Sequence, residues 1–170
     1  MEQFSNVVSL EYRVGKAFEG RYFMGHTPTL TLQPRVNGWV ALYNPRGSGV
    51  NVFVNTFTVS NFSAVPFRAQ LWLNALPDNG EVSPYSSATN AAFQPAIWPE
   101  AAIVFGQEAG PLQGGQSLFT RVAGAQSTTV GNYYGKIILP PNGSLLLQLQ
   151  ASMSQSIQAE AAFGWWEDLI

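Results

Sequence analysis

Residues 38–63 read GWVALYNPRGSGVNVFVNTFTVSNFS, two apolar runs (39–43 and 50–62) rich in β-branched and aromatic residues. Between them lies Asn44-Pro45-Arg46-Gly47-Ser48-Gly49. Asn-Pro opens a turn, and glycine accepts the positive φ that other residues avoid. The pattern predicts a β-hairpin with a six-residue loop. Successive strand residues point to opposite faces, so Val50, Val52 and Val54 fall on one side and Phe53, Phe57 and Val59 on the other. A strand apolar on both faces is expected to be covered on both. Asn51, Asn55 and Asn61 interrupt it, and any buried amide needs a hydrogen-bond partner.

Working outward, residues 7–14 and 17–24 read as strands, followed by a brief extended piece at Leu30 and Leu32. Residues 67–74 alternate, with Phe67, Ala69, Leu71 and Leu73 inward and Trp72 outward. Residues 75–99 are rich in Pro, Ser and Asn; they read as a long loop or as a loop holding a short strand at 91–94. Strands follow at 101–105, 117–123, 133–139, 144–152 (Leu145, Leu147 and Leu149 inward) and 157–166. In the last, Ile157, Ala159, Ala161, Phe163 and Trp165 share a face. Adjacent Trp165 and Trp166 must face opposite ways, so one is expected in the core and the other exposed or at an interface. Eight to ten strands without a helical period predict an all-β, antiparallel two-sheet β-sandwich, a jelly roll in preference to a seven-stranded immunoglobulin-like domain. No linker or repeat divides the chain, so residues 1–170 are read as one domain with a polar N-terminal arm, residues 1–6.

Charged residues make up 11% of the 170-residue chain, well under the usual share of about 25%. Ser, Thr, Asn, Gln and Gly take their place, giving a polar but uncharged surface, and such depletion of charge fits surfaces that meet other protein. The net charge of −2 is split: six basic against three acidic groups in residues 1–70, two against seven in residues 71–170. No basic patch suited to nucleic acid forms. No apolar run reaches the 18 or more residues of a membrane span, so membrane insertion is not expected. The opening Met1-Glu2-Gln3-Phe4-Ser5-Asn6 lacks the basic and apolar start of a signal peptide.

There is no cysteine, which removes disulfides and thiolate chemistry. His26, the only histidine, sits in Gly-His-Thr-Pro and reads as a surface or capping residue. No phosphate loop, calcium loop or local carboxylate cluster is written in the chain. Neither an enzyme nor a cofactor or metal requirement is expected. Trp39, Trp72, Trp98, Trp165 and Trp166 could stack on carbohydrate, although aromatics in a sandwich mostly fill the core.

Four phrases carry a resemblance: GKAFEGRYF (15–23), LYNPRGSGVN (42–51), VSNF (59–62) and FGWWE (163–167). They resemble an uncharacterised family of small β-rich proteins, a domain of unknown function from spore-forming and related Firmicutes. The resemblance implies no catalytic residue, and it suggests a bacterial surface, spore or extracellular setting. The expectation is a structural subunit that self-assembles into a filament, shell or surface appendage. Its candidate contacts are Phe4, Val7, Val8, Trp72, Trp165 and Trp166, with the chain itself as partner. A carbohydrate- or ligand-binding module is the alternative.

Overall fold

β-Branched residues and phenylalanine suit a pleated, half-buried surface, and in the computed structural model the run after Gly49 is one strand, β4 (Val50–Asn61). The structure describes residues 10–108, 111–150 and 153–170. Val50, Val52 and Val54 of β4 are buried, and then Phe57, Val59 and Asn61. The step of three between Val54 and Phe57 marks a bulge. On the neighbouring strand, Trp165 pairs with Val54 and Gly164 with Thr56, leaving Asn55 unmatched. One extra residue reverses the pleat, so apolar residues on both sides of Asn55 point the same way, into the core. This corrects the expectation of two apolar faces. Only Phe53 remains outside, and the face beyond the bulge is Thr56, Thr58 and Ser60.

The remaining elements are a helix α1 (Tyr12–Phe18) and strands β1 (Tyr22–His26), β2 (Leu30–Leu32), β3 (Asn37–Tyr43), β5 (Phe67–Leu73), β6 (Glu81–Val82), β7 (Ser86–Ala88), β8 (Ala102–Glu108), β9 (Gln116–Ala123), β10 (Ser127–Leu139), β11 (Ser144–Gln150) and β12 (Ile157–Leu169). They form two antiparallel six-stranded sheets. Sheet A runs β10-β4-β12-β1-β7, with β2 also on β12; sheet B runs β6-β8-β3-β11-β5-β9. The chain is an all-β sandwich. Twelve strands among the described residues exceed the eight to ten expected, because β6 and β7 lie inside residues 75–99; residues 91–94 are not a strand.

The expected hairpin at 38–63 is corrected as well. β3 pairs with β8 and β11, β4 with β10 and β12, so the two runs belong to different sheets. Residues 44–49 form a corner between the layers. Asn44 holds it: its buried Nδ2 donates to the carbonyls of Val50 (2.8 Å) and Leu139 (2.9 Å). Gly47 and Gly49 take φ of 80° and 73°, a conformation that side chains with a Cβ resist. The links β4–β5, β9–β10, β10–β11 and β11–β12 also cross between sheets.

The interior is continuous between the layers. Leu145, Leu147 and Leu149 of β11 join Val52, Phe57 and Val59 of β4 and Ile157, Phe163 and Trp165 of β12. Each such side chain contributes roughly 1.5–3 kcal/mol of burial. Asn61, 1% exposed, donates to the carbonyls of Val65 and Ala123, so its amide is satisfied. Glu167, 3% exposed, accepts from the backbone N–H groups of Glu100 and Ala101 and from Trp165 Nε1.

At the start of the chain, the strand expected over residues 7–14 is replaced from Tyr12 onward by α1; residues 7–9 lie outside the described residues. Val8, Leu10, Tyr12 and Val14 do alternate, but Tyr12 and Lys16 are one helical turn apart and both reach Asp168 of β12. A helix of this length is marginal in isolation. Docking on the sheet holds it.

Candidate functional site

The outer face of sheet A is divided at the Asn55 bulge. On one side Phe53 stacks flat on Trp166, with centroids 5.3 Å apart and planes within 1°. The edge of Tyr12 covers Trp166 from α1, at 6.1 Å and 69°. β10 closes over the same indole through its own bulge, between Asn132 and Ile137. Gly135 there has φ +80°, and a Cβ on it would sit 2.1 Å from Trp166 Cη2. Asn55, the bulged residue, accepts from Arg13 (3.0 Å) and donates to the Tyr22 hydroxyl (2.6 Å). Burial works against the Lys16 ammonium, but hydrogen bonds to Asp168 and Glu19 outweigh it and hold its pKa above the ordinary lysine value. Burial also pushes up the phenol of Tyr22.

On the other side the same strands lie bare. Thr56 and Thr58 of β4, Ala162 and Gly164 of β12, and Met24 and His26 of β1 line an open groove of about 610 Å³, within the usual range for small-molecule sites. Residues Pro84 to Ser87 make its wall. That wall stands close because Gly25 has no side chain: a Cβ there would lie 2.5 Å from Ser86 Oγ and 2.6 Å from the Tyr85 carbonyl. The His26 N–H donates to Tyr85 O (2.9 Å) and Ser83 Oγ donates to His26 O (2.6 Å). Tyr85 is thereby laid on the His26 ring, 4.9 Å away and 8° from parallel. His26 Nδ1 lies 2.8 Å from Thr27 O and 3.1 Å from Glu160 Oε1.

Two of the hydroxyls around the groove are turned into the backbone. Thr56 Oγ1 donates to Gly131 O and Ser87 Oγ to Ala88 O. The Thr56 methyl, by contrast, lies over Gly164. What the groove offers is mostly methyl, thioether and ring surface.

A third feature lies along one flank of the sandwich. β9 ends sheet B and β10 ends sheet A, eight and thirteen residues long. Among the described residues each leaves a row of backbone groups with no strand beyond it, a template for another strand. Leu118 and Val122 on β9 and Val130, Tyr134 and Ile138 on β10 are exposed apolar residues along it. The two strands meet near their link, where Thr129 Oγ1 donates to Val122 O (3.0 Å), and again where the rings of Phe119 and Tyr133 lie 6.1 Å apart. Tyr133 is drawn inward against Phe57, and burial pushes its phenol up. The opposite flank ends in β6 and β7, of two and three residues.

Of the contact residues expected from sequence, Phe4, Val7 and Val8 lie outside the described residues. Trp72 faces outward from sheet B as expected, but packs in a second apolar cluster with Trp39, Ala41, Ala75, Val104 and Leu146. Trp165 and Trp166 do face opposite ways, yet both are buried, 0% and 5% exposed. Neither offers surface to a neighbour; α1 and β10 supply the cover that alternation alone could not show. Sequence reasoning singled out His26, which caps Thr27 O as it proposed, but missed Tyr85 and Glu160. Those residues lie 59 and 134 positions further along the chain, and only the strand register brings them to His26.

Among the described residues no helix is long and apolar enough to cross a membrane. Residues 2–170 match the model of one protein family, described as a family of unknown function, DUF6143. No curated protein and no solved structure matches the chain.

Proposed function

The chain belongs to DUF6143, a family of unknown function, and we propose that it is a non-enzymatic structural subunit that self-assembles into a filament, shell or surface appendage. The observation that carries this reading is the β9–β10 flank: two long bare edges, with exposed apolar residues and only Arg121 and Lys136 as charges on the two strands. Natural sandwiches usually shorten, charge or cover such edges. Sparse charge across the whole chain removes a further barrier to association.

The connectivity supports the same reading. Taken without the short β2, β6, β7 and the added edge strand β8, the sheets are β10-β4-β12-β1 and β3-β11-β5-β9. That order supports reading the sandwich as a four-plus-four jelly roll, an architecture used in viral shells, and a likeness of fold alone does not assign a role. The resemblance to proteins of spore-forming Firmicutes adds a bacterial surface or spore as the setting. The N-terminal arm, with Phe4, Val7 and Val8, is the second proposed contact. Trp72 keeps a place only as support for its own outer cluster.

The groove favours a second reading, a carbohydrate- or ligand-binding module. Groove wall and bare edge stand at opposite ends of sheet A, so the two readings are compatible. Sizing and negative-stain microscopy of the purified chain over a wide concentration range test the first. Concentration-dependent particles of regular form are expected; a monomer at every concentration overturns it.

A further inference from the structure

We infer that Asn79-Gly80, in the link between β5 and β6, is a site of spontaneous modification: its asparagine converts to aspartate and isoaspartate in the folded chain, and the change loosens the cover over Trp39. The reaction does not require assembly. Three Asn-Gly pairs occur in the sequence, Asn37-Gly38, Asn79-Gly80 and Asn142-Gly143. Glycine has no side chain to shield its backbone nitrogen, so that nitrogen can attack Cγ of the preceding asparagine. The N–Cγ bond forms, the bond from Cγ to the side-chain nitrogen breaks, and ammonia leaves with the proton of the glycine amide. Water then opens the cyclic imide. Opening at Cγ leaves aspartate; opening at the backbone carbonyl leaves isoaspartate, whose main chain runs through the side-chain carbons. Neither step needs an oxidant, a reductant or a cofactor.

The fold separates the three pairs. Gly38 is buried within β3, facing Gln107 of β8 on one side and Leu149 of β11 on the other. The Gly143 N–H donates to Pro140 O (2.8 Å), the Asn142 N–H to Asn44 O (2.7 Å) and the Tyr43 hydroxyl to Asn142 Oδ1 (3.3 Å). Ring closure at either pair needs local opening first. Asn79 and Gly80 are exposed, and among the described residues no hydrogen bond holds them. Asn79 also lines an open cavity of about 350 Å³, which gives water access.

The product strikes a close contact. A Cβ on Gly80 would lie 2.5 Å from Trp39 Cη2 and 2.3 Å from Val104 Cγ1, so the main chain at Gly80 rests directly on the outer cluster of sheet B. Isoaspartate lengthens that main chain by one carbon just before this seat. Either product also adds a carboxylate beside Asp78, in the cavity that Glu108 lines. Glu108 Oε2 is buried there without a partner among the described residues, and like charges brought together repel.

The full chain is incubated at mildly alkaline pH, and aspartate and isoaspartate are located by peptide mapping with mass spectrometry. Conversion at Asn79 should run about tenfold or more ahead of Asn37 and Asn142, because opening a single hydrogen bond costs up to about a factor of ten. In urea the three sites should react alike. Hydrogen exchange over residues 74–82 should quicken in the converted chain and stay slow in incubated Asn79→Gln, whose longer side chain closes the ring poorly. Equal rates at the three sites in the folded chain, or a lead at Asn37 or Asn142, overturn the site. A lead of Asn79 that persists in urea overturns the part given to the fold. Conversion at Asn79 with unchanged exchange overturns the loosening over Trp39.

Discussion

The two flanks of the sandwich are built from strands of opposite character. At one, sheets A and B end in β7 and β6, three and two residues long, and residues 75–99 run alongside. At the other they end in β10 and β9, thirteen and eight residues long, with nothing among the described residues paired beyond them. A short edge offers few unpaired backbone groups and cannot template a partner strand; a long one can. The long flank is still not uniform. β10 bulges between Asn132 and Ile137 to lay Gly135 over Trp166, which divides its edge into a six-residue stretch, Ser127 to Asn132, and a three-residue stretch, Ile137 to Leu139. The same bulge that seals the aromatic half of sheet A sets the length of edge left for a neighbour.

Removing the indole under the bulge gives the largest expected effect. Trp166→Ala should lower stability by about 3–5 kcal/mol, as truncation of buried tryptophan does, measured by urea unfolding. Gly135→Ala attacks the same contact from above. It adds a Cβ at a positive φ and 2.1 Å from the ring, and is expected to cost about 2 kcal/mol or more. If Gly135→Ala is neutral in the same assay, the bulge does not seal Trp166.

How much of this was legible beforehand differs between strands. β11 and β12 announce themselves, because Leu145, Leu147, Leu149 and Ile157, Ala159, Ala161, Phe163 keep strict alternation and the structure buries all of them. β4 does not, since nothing in Asn55-Thr56 signals an extra residue; only the partners Gly164 and Trp165 define the bulge. Asn-Pro followed by two glycines serves a hairpin and a corner between sheets equally well, and pairing partners distant in sequence decide between them. The groove was invisible for a related reason: each residue on it is ordinary, and register assembles them.

Two smaller effects separate docking of α1 from the edge itself. Lys16→Met removes the bonds to Asp168 and Glu19 and should cost about 1 kcal/mol, near the upper end for partly exposed pairs. The Lys16 pKa is raised, so its contribution is present in full below the ordinary lysine pKa and is lost only as pH rises through the higher folded value. Unfolding curves between pH 6 and about 9, below the ordinary lysine pKa of about 10.4, should therefore show the same loss for the variant. Val130→Lys, at a side chain already 53% exposed, should change stability by less than about 0.5 kcal/mol. It should nonetheless suppress assembly, because a lysine on an edge strand opposes pairing. An assembling Val130→Lys chain would move the contact elsewhere.

The central claim, that copies of this chain meet along β10, is tested most directly by cross-linking. The sequence has no cysteine, so a single introduced thiol reports only on its own position. Val130→Cys places it in the uncharged stretch of the long edge, Ser87→Cys on the short edge at β7. Disulfides form only where two Cα atoms come within about 7 Å. Under mild oxidation at assembling concentration, Val130→Cys should yield covalent dimers and Ser87→Cys should stay single on a non-reducing gel. Dimers from Ser87→Cys alone would contradict the account.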